Sequence, residues 1–210
     1  MQYQLLHDQQ LPLCFVGNTF HNHTLYEYFK SKRSCEHMTV EDVLLKDQDW
    51  VNQRQFMCAV TNIGFKKQVI DQLASYNPSW FSVVSDNSHI GYHVSVGVNT
   101  FINDFNFILD DTVIGDHCTI TAHTVLSHGV DIGDFSHIGP YSYLSFTKLG
   151  QGSCLGLRSS FPGKPDNILN IHSWCNFMIN SVVTKHIVTP GTYLGNRRVN
   201  GNTSLTHKIL

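Results

Sequence analysis

The sequence predicts a chain in two parts, a small α/β unit followed by a parallel β-helix. The second part is predicted by a sixfold repeat, in which every sixth residue is aliphatic from Ile90 to Leu144. A period of six fits neither an amphipathic helix nor an alternating strand, and it is typical of hexapeptide solenoids. The first part is predicted by short apolar runs that alternate with helical patterns over about the first 85 residues.

The α/β unit can be followed element by element. Apolar runs predict buried strands at 12–17, 55–62 and 80–84. Apolar residues at helical spacing predict helices within 23–31 and 63–76. A further helix is predicted to begin after Thr39, which has Asp42 three residues on and therefore fits an N-cap. Strands alternating with helices favour a parallel sheet.

The β-helix follows from the repeat. Three hexapeptides make one coil of about 18 residues, so positions that far apart are expected to stack at the ~4.8 Å strand spacing. After Leu144 the repeat slips by one residue, and 161–167 reads as a loop inserted between coils. The predicted division is an α/β domain at 1–85, a β-helix at 86–195 and a C-terminal cap at 196–210.

Composition excludes several classes of function. Charged residues make up 14% of the chain and the net charge is −2, without a Lys/Arg run, so no nucleic-acid partner is expected. No apolar run approaches the ~20 residues of a membrane span, and no signal peptide is read. Six scattered cysteines without a CxxC pair favour free thiols in a reducing cytoplasm. No metal is expected.

Two loops are candidates for binding a nucleotide. Gly17 and Asn18 follow the first predicted strand, where a phosphate could approach the N-terminus of the next helix. Thr61 and Asn62 end the second run, Lys66 follows it, and all three would lie beside them at the carboxyl edge of the sheet. A dinucleotide fingerprint needs three glycines there, so an ordinary turn is an equal alternative. Lys66 could also be a solvated helix charge.

Thirteen histidines invite three interpretations. His123 and His128 are five apart, the ligand spacing of β-helical carbonic anhydrases, but Asn87 stands near the place of the third ligand. A histidine could instead be a general base for acyl transfer, because neutral imidazole titrates close to the working pH. The third interpretation, an outward polar residue on a solvated face, is preferred for His117.

A resemblance distinguishes two of the histidines. The segment TAHTVLSHGVDIGDFSHIGP (121–140), with AVTNIGFKK (59–67) and the later LGN, resembles the bacterial nucleotide-sugar N-acetyltransferases of the sialic-acid and bacillosamine family. The resemblance implies a Rossmann-like N-terminal domain that binds a nucleotide-linked amino sugar, followed by a left-handed β-helix. It also implies a cytoplasmic homotrimer that binds acetyl-CoA, or another short acyl-CoA, between subunits.

Residue roles follow from that resemblance. His128 matches the family's general base, and His137 matches the histidine that contacts the acetyl group or thioester. Contacts with the acyl group or CoA are expected from Phe146, Gly156, Arg197 and Arg198, with surface charges an equal alternative for the two arginines. The chain departs from the family pattern at two positions. Gly129 stands where the family has a carboxylate directly after the base, and Thr121 stands where the family has asparagine.

The stacking rule offers a replacement for the missing carboxylate. Asp110 and Asp111 lie one coil before His128 and Gly129, so either could orient the imidazole of the base. The alternative is that both are corner residues, since Asp-Asp-Thr suits a turn. The predicted function is acyl-CoA-dependent N-acylation of a nucleotide-linked amino sugar. A sugar O-acetyltransferase and a non-catalytic β-helix protein are the alternatives.

Overall fold

A computed structural model describes residues 2–199 and confirms both parts of the predicted fold. The chain begins with β1 (Tyr3–Leu6), which belongs to the β-helix, and then enters the α/β unit. The strands of that unit are β2 (Leu13–Val16), β3 (Cys35–Met38), β4 (Gln55–Met57) and β5 (Ser79–Trp80). They form an all-parallel sheet in the order β3-β2-β4-β5.

Four helices connect the strands of this sheet. They are α1 (Phe20–Phe29), α2 (Val40–Leu44), α3 (Gln48–Asn52) and α4 (Ile63–Leu73), the last continued by a 3₁₀ turn at Ala74–Tyr76. Each begins at a side chain that accepts a backbone N–H of its first turn, namely Thr19, Thr39, Asp47 and Asn62. The predicted cap at Thr39 is thereby confirmed.

The β-helix is a triangular stack with three faces. The first face contains β1, β6 (Ser82–Ser85), β9 (Phe101–Ile102), β12 (Thr119–Ile120), β15 (His137–Ile138), β18 (Cys154–Leu155), β21 (Cys175–Phe177), β22 (Gly191–Leu194) and β23 (Arg197–Arg198). The second face contains β7 (His89–Ile90), β10 (Phe107–Ile108), β13 (Val125–Leu126), β16 (Tyr143–Ser145) and β19 (Ser160–Pro162). The third face contains β8 (Ser95–Val96), β11 (Val113–Ile114), β14 (Val130–Ile132), β17 (Thr147–Leu149) and β20 (Leu169–Ile171). The strands of these faces pair in parallel except for β1 with β6 and β22 with β23.

From Ile102 onward the repeat positions fill the interior of the stack, as predicted, whereas Ile90 in the first coil is 37% exposed. Twelve of them are at most 4% exposed: Ile102, Ile108, Ile114, Ile120, Leu126, Ile132, Ile138, Leu144, Leu149, Leu155, Phe161 and Ile171. The predicted slip is also confirmed, because Val125 pairs with Tyr143, 18 residues on, whereas Val130 pairs with Thr147, 17 residues on. The predicted loop lengthens the next coil, so Thr147 pairs with Leu169, 22 residues on.

The division between the parts differs from the expected one at residue 85. The run 80–84 is split, since Trp80 ends the small sheet and Ser82–Ser85 already belongs to the first face. There β6 also pairs antiparallel with β1, a strand that the sequence analysis missed. At the other end β22 and β23 form a hairpin on the first face, and residues 200–210 of the predicted cap lie outside the described part.

Candidate functional site

The carboxyl edge of the small sheet has the geometry of a nucleotide crevice. Helix α1, which follows β2, packs on one side of the sheet, and α4, which follows β4, packs on the other. The neighbouring strands β2 and β4 therefore form a topological switch point, where ligands of open α/β sheets bind. We call this edge the crevice: Gly17 and Asn18 follow β2 there, and Thr61 and Asn62 lie between β4 and α4.

Asn22, which the sequence analysis did not identify, fixes the two loops of the crevice. Its fully buried side-chain amide donates to the carbonyl oxygens of Val16 and Gly17 at 2.6 and 2.8 Å. Its carbonyl oxygen accepts the backbone N–H of Ala59 at 2.8 Å. Gly17 itself has a φ of +100°, a backbone conformation that favours glycine. Asn22 thus ties the loop after β2 to the segment after β4.

Lys66 does not have the solvated position that was one expectation for it. It is 2% exposed, and its ammonium donates to the carbonyl oxygen of His117 at 2.9 Å and to Oγ1 of Thr119 at 2.8 Å. Both acceptors are uncharged, and burial lowers the pKa of Lys66 to about 8. Lys66 therefore fastens α4 to the β-helix, and its predicted contact with a nucleotide stays a prediction.

His117 is likewise not a solvated residue, which corrects that expectation. Its imidazole stacks on Phe135 with 4.6 Å between ring centroids and meets the edge of Trp80 at 5.8 Å. The amide of Asn99 lies 2.9 Å from its Nδ1, while the side-chain oxygen of Asn99 accepts the N–H of Cys58 at 2.7 Å. This cluster joins the edge of the small sheet to one vertex of the β-helix. Burial lowers the pKa of His117 to about 4.

His137 lies on the first face, beneath the α/β unit. It pairs with Thr119 on one side and Cys154 on the other. Its Nδ1 is buried and, within residues 2–199, has no hydrogen-bond partner. Burial, with the nearby charges of Lys66 and His21, lowers the pKa of His137 to about 4. A buried nitrogen without a partner is uncommon, which makes this a place where a ligand atom could bind.

His21 belongs to the same site and was missed by the sequence analysis. It lies in the first turn of α1, four residues after Gly17, and its ring centroid is 5.6 Å from that of Phe101 on the first face. Burial lowers its pKa, and the charge of Lys66 adds to that effect. Its position at the start of a helix that follows a strand-end glycine is the signal that could have identified it.

His128 is at a different place. It follows β13 at the vertex between the second and third faces, and its side chain is exposed. The ring of Phe146 packs against Gly129, the residue after His128. A Cβ on Gly129 would lie 2.7 Å from Cδ1 of that ring. Gly129 has a φ of +64°. The ring therefore covers the position from which a carboxylate after the base would project.

The two aspartates predicted to assist His128 have partners in the coil before them. Asp110 accepts the backbone N–H of Tyr92 at 2.7 Å, and Asp111 lies 3.3 Å from Nδ1 of His93. Within the described residues, no hydrogen bond or ion pair joins either carboxylate to His128. The geometry favours Asp110 and Asp111 as turn residues at a corner of the coil. That either one orients the imidazole of His128 stays a prediction.

The remaining predicted residues lie in later coils than His128 and His137. Gly156 donates its N–H to the carbonyl oxygen of Phe177 at 2.8 Å, and a Cβ there would lie 2.7 Å from the backbone N of Ile179. That glycine is therefore required by the next coil. Arg197 and Arg198 are exposed in β23, beyond the last full coil. Their contacts with CoA remain predictions.

The metal interpretation finds no arrangement to support it. His123 is stacked between Phe105 and Tyr141, with ring centroids 5.1 and 4.8 Å away. Among residues 2–199, no group of three or more His, Cys, Asp or Glu side chains is placed to hold a metal ion. In the same part of the chain, no helix is long and apolar enough to cross a membrane.

Comparison with known proteins agrees with this architecture. Residues 111–145 match the family described as bacterial transferase hexapeptide (six repeats). The bifunctional protein GlmU of Prochlorococcus marinus is 34% identical over 90 residues, which is 42% of this chain. The chain spans 19% of the length of that relative.

Solved structures match over both parts of the chain. PerB from Caulobacter crescentus, in complex with CoA and GDP-perosamine, has a TM-score of 0.75 at 15% identity, covering 86% of this chain and 92% of PerB. The acetyltransferase domain of PglB from Neisseria gonorrhoeae, in complex with acetyl coenzyme A, has a TM-score of 0.74 at 15% identity, covering 90% and 98%. WeeI from Acinetobacter baumannii has a TM-score of 0.69 at 16% identity, covering 90% and 99%.

The chain has the fold of a left-handed β-helix with hexapeptide repeats, which follows a Rossmann-like N-terminal unit. More particularly, it has the fold of PerB and of the PglB acetyltransferase domain across both of its parts. The predicted fold is thereby confirmed.

Proposed function

We propose that this protein is an acyl-CoA-dependent N-acyltransferase that acts on the amino group of a nucleotide-linked deoxysugar. The observation that carries the proposal is the docking of a nucleotide crevice onto the β-helix face that holds His137. The crevice would bind the nucleotide, and the attached sugar would extend toward His21 and His137. The similarity to PerB, a fold seen with CoA and GDP-perosamine, supports both substrate classes.

The site is divided within one chain, which supports assembly of the active site from two subunits. His137 is on the first face, whereas His128 is at the vertex between the other two faces. In a triangular coil that vertex lies opposite the first face. We infer that His128 of one subunit approaches the first face of a neighbour, in a homotrimer.

The second face supports such an assembly because it is apolar and uncovered. Phe107 is 54% and Tyr143 40% exposed, and the ring of His89 stacks on Phe107 at 4.9 Å. Phe105 and Tyr141, which flank His123 at the adjoining vertex, are 55% and 54% exposed. Contiguous exposed aromatic surface of this kind marks an interaction site. A second and third copy of the chain would cover it.

In the proposed reaction, the neutral amine of the sugar attacks the thioester carbonyl carbon of acyl-CoA. His128 takes the proton that the nitrogen loses, and backbone N–H groups of the adjoining coil stabilise the oxyanion. Collapse of the tetrahedral intermediate breaks the C–S bond, and the proton passes from His128 to the departing thiolate. The products are an amide and CoA with a free thiol. Location in a bacterial cytoplasm, where acyl-CoA is formed, is part of the proposal.

The proposal is tested by thiol release from acetyl-CoA with a panel of UDP-, GDP- and dTDP-linked amino sugars. His128→Ala should lower kcat by at least ~10²-fold, whereas His172→Ala, at an exposed histidine of a later coil, should leave it unchanged. Turnover of hydroxyl sugars alone would indicate the O-acetyltransferase instead. No turnover of any acceptor would contradict the enzyme proposal.

Complementation tests the sharing of the site between subunits. His128→Ala and His137→Ala each remove one half of the proposed site, and each should be inactive alone. Equal co-expression would give mixed trimers in which roughly a quarter of the interfaces carry both histidines, so about a quarter of wild-type activity should return. Activity that stays at the level of the separate variants would contradict a site shared in this way.

A further inference from the structure

His37 occupies a defined position beside the nucleotide crevice. It lies in β3 and pairs with Phe15 in β2, while the next residue, Met38, accepts the backbone N–H of Gly17 at 2.9 Å. His37 therefore stands at the carboxyl edge of the sheet, 20 residues after the glycine of the crevice. Its side chain is half-buried. Nothing in the proposed reaction yet uses this residue.

The hydrogen bond that His37 makes determines its tautomer. Nε2 lies 3.1 Å from the carbonyl oxygen of Gly17. A carbonyl can only accept, so Nε2 carries the proton and donates it. In the neutral ring Nδ1 is then an acceptor. Within residues 2–199 this nitrogen has no hydrogen-bond partner, and it is not sealed from solvent.

Neighbouring rings fix the plane of this imidazole. Tyr26 stacks against it with centroids 5.8 Å apart and an interplanar angle of 29°. His23 approaches to 5.8 Å at 48°. Both neighbours come from α1, the helix that begins at the crevice. The acceptor nitrogen is thus held in one orientation by the same element that shapes the crevice.

A hydrogen-bond acceptor at this place has a known use in dinucleotide-binding folds. There an Asp or Glu about 20 residues after the glycine loop accepts a hydrogen bond from the ribose. The acid of β3 in this chain, Glu36, cannot serve, because its side chain is on the opposite side of the strand and is bound by Arg54 at 2.8 Å. His37 is the acceptor that remains.

We propose that His37 recognises the ribose of the acceptor nucleotide, with Nδ1 accepting a hydrogen bond from a ribose hydroxyl. The inference rests on the proposed function, since it names the residue by which that crevice distinguishes ribonucleotides from deoxyribonucleotides. It assigns to a neutral imidazole the task that a carboxylate has in dinucleotide sites. A sugar linked to a ribonucleoside diphosphate would then bind more tightly than the same sugar linked to a deoxyribonucleoside diphosphate.

Binding of nucleoside diphosphates to the full-length protein tests this role. The probes are UDP and GDP, each compared by calorimetry with its 2′-deoxy and 3′-deoxy forms. Loss of the contacted hydroxyl should weaken binding to the wild type about five- to tenfold, the worth of one hydrogen bond. His37→Ala should bind the ribose and deoxyribose forms within about twofold of each other.

Two further variants separate recognition from a structural role. His37→Gln should restore discrimination, because its amide can donate to Gly17 and its oxygen can accept from the ribose. His23→Ala, which removes a neighbouring exposed ring, should keep the wild-type ratio. If His37 only braced the loop, His37→Ala would weaken every nucleotide equally and preserve the ratio, and that result would overturn the proposal.

The two proposals fail in different ways. If the wild type binds UDP or GDP but does not distinguish the deoxy forms, the role of His37 is overturned and a nucleotide-sugar acceptor stands. If the wild type binds no nucleoside diphosphate, the nucleotide crevice itself is overturned, and the role of His37 with it.

Discussion

Lys66 gives a quantitative prediction about stability, because a lysine is buried here against uncharged acceptors. Burial lowers its folded-state pKa to about 8, against an ordinary value of 10.5. Between those values the unfolded chain binds the proton that the folded chain has lost, so the free energy of unfolding rises with pH. From pH 7.5 to 9.5 this one group should add about 2 kcal/mol.

Urea unfolding of wild type, Lys66→Met and Lys67→Met at both pH values measures this contribution. Lys67 follows on the same helix but is 42% exposed and ion-paired with Asp71, so its removal is the matched control. A reducing agent keeps the six cysteines as thiols. Wild type and Lys67→Met should gain about 2 kcal/mol relative to Lys66→Met over that interval. Parallel curves for wild type and Lys66→Met would refute the buried, titrating amine.

Three further predictions concern the two histidine sites. Gly129→Ala should lower the free energy of unfolding by about 1–2 kcal/mol, since φ is +64° and the new methyl meets Phe146. Phe146→Ala in the same chain should recover the steric part, and an additive double variant in urea unfolding would argue against the contact. Asp110→Asn and Asp111→Asn should each change the rate of thiol release by less than about twofold if both are corner residues, and a larger loss would favour assistance of the base. Because the pKa of His137 is lowered to about 4, stability that is present at pH 7 is lost as the pH falls through its unfolded value of about 6.5. His137→Gln should therefore lose about 2 kcal/mol less than wild type between pH 7 and 5, and equal losses would contradict a buried neutral imidazole.

The β-helix could be predicted from the sequence because each coil repeats the same contact. One aliphatic side chain per hexapeptide points into the stack. The spacing of residues such as Ile102, Ile120 and Ile138 therefore predicts directly which side chains are buried. The slip after Leu144 appears in the pairing as a coil one residue shorter. Local periodicity and the tertiary contact are here the same signal.

The parts that could not be predicted depend on distant partners. Strand β3 has the sequence CEHM, without a run of apolar residues, and it forms because β2 lies beside it. Lys66 is a charged residue in a helix, and its burial depends on acceptors more than 50 positions later. The role of Asn22 likewise exists only where the ends of two strands meet. Spacing along the chain contains none of this information.

The candidate site could be predicted only in part from the sequence, because its geometry also depends on distant partners. The resemblance singled out His128 and His137, but one chain holds them on separate parts of the β-helix. Stacking arithmetic placed Asp110 in the coil next to His128, yet its carboxylate binds Tyr92 in the coil before. A register specifies which residues are neighbours, and it does not specify toward which neighbour a side chain turns.

The antiparallel pairing of β1 with β6 has a consequence for how such proteins can be recombined. The α/β unit leaves the first face after Leu6 and returns to it at Ser82, so it is an excursion from the β-helix with two points of attachment. Cutting the chain ahead of β6 would leave the lowest strand of the solenoid with an open edge, on which other chains could pair. Specificity could therefore be exchanged between relatives by replacing the segment between β1 and β6, while the strand that closes the edge stays in place.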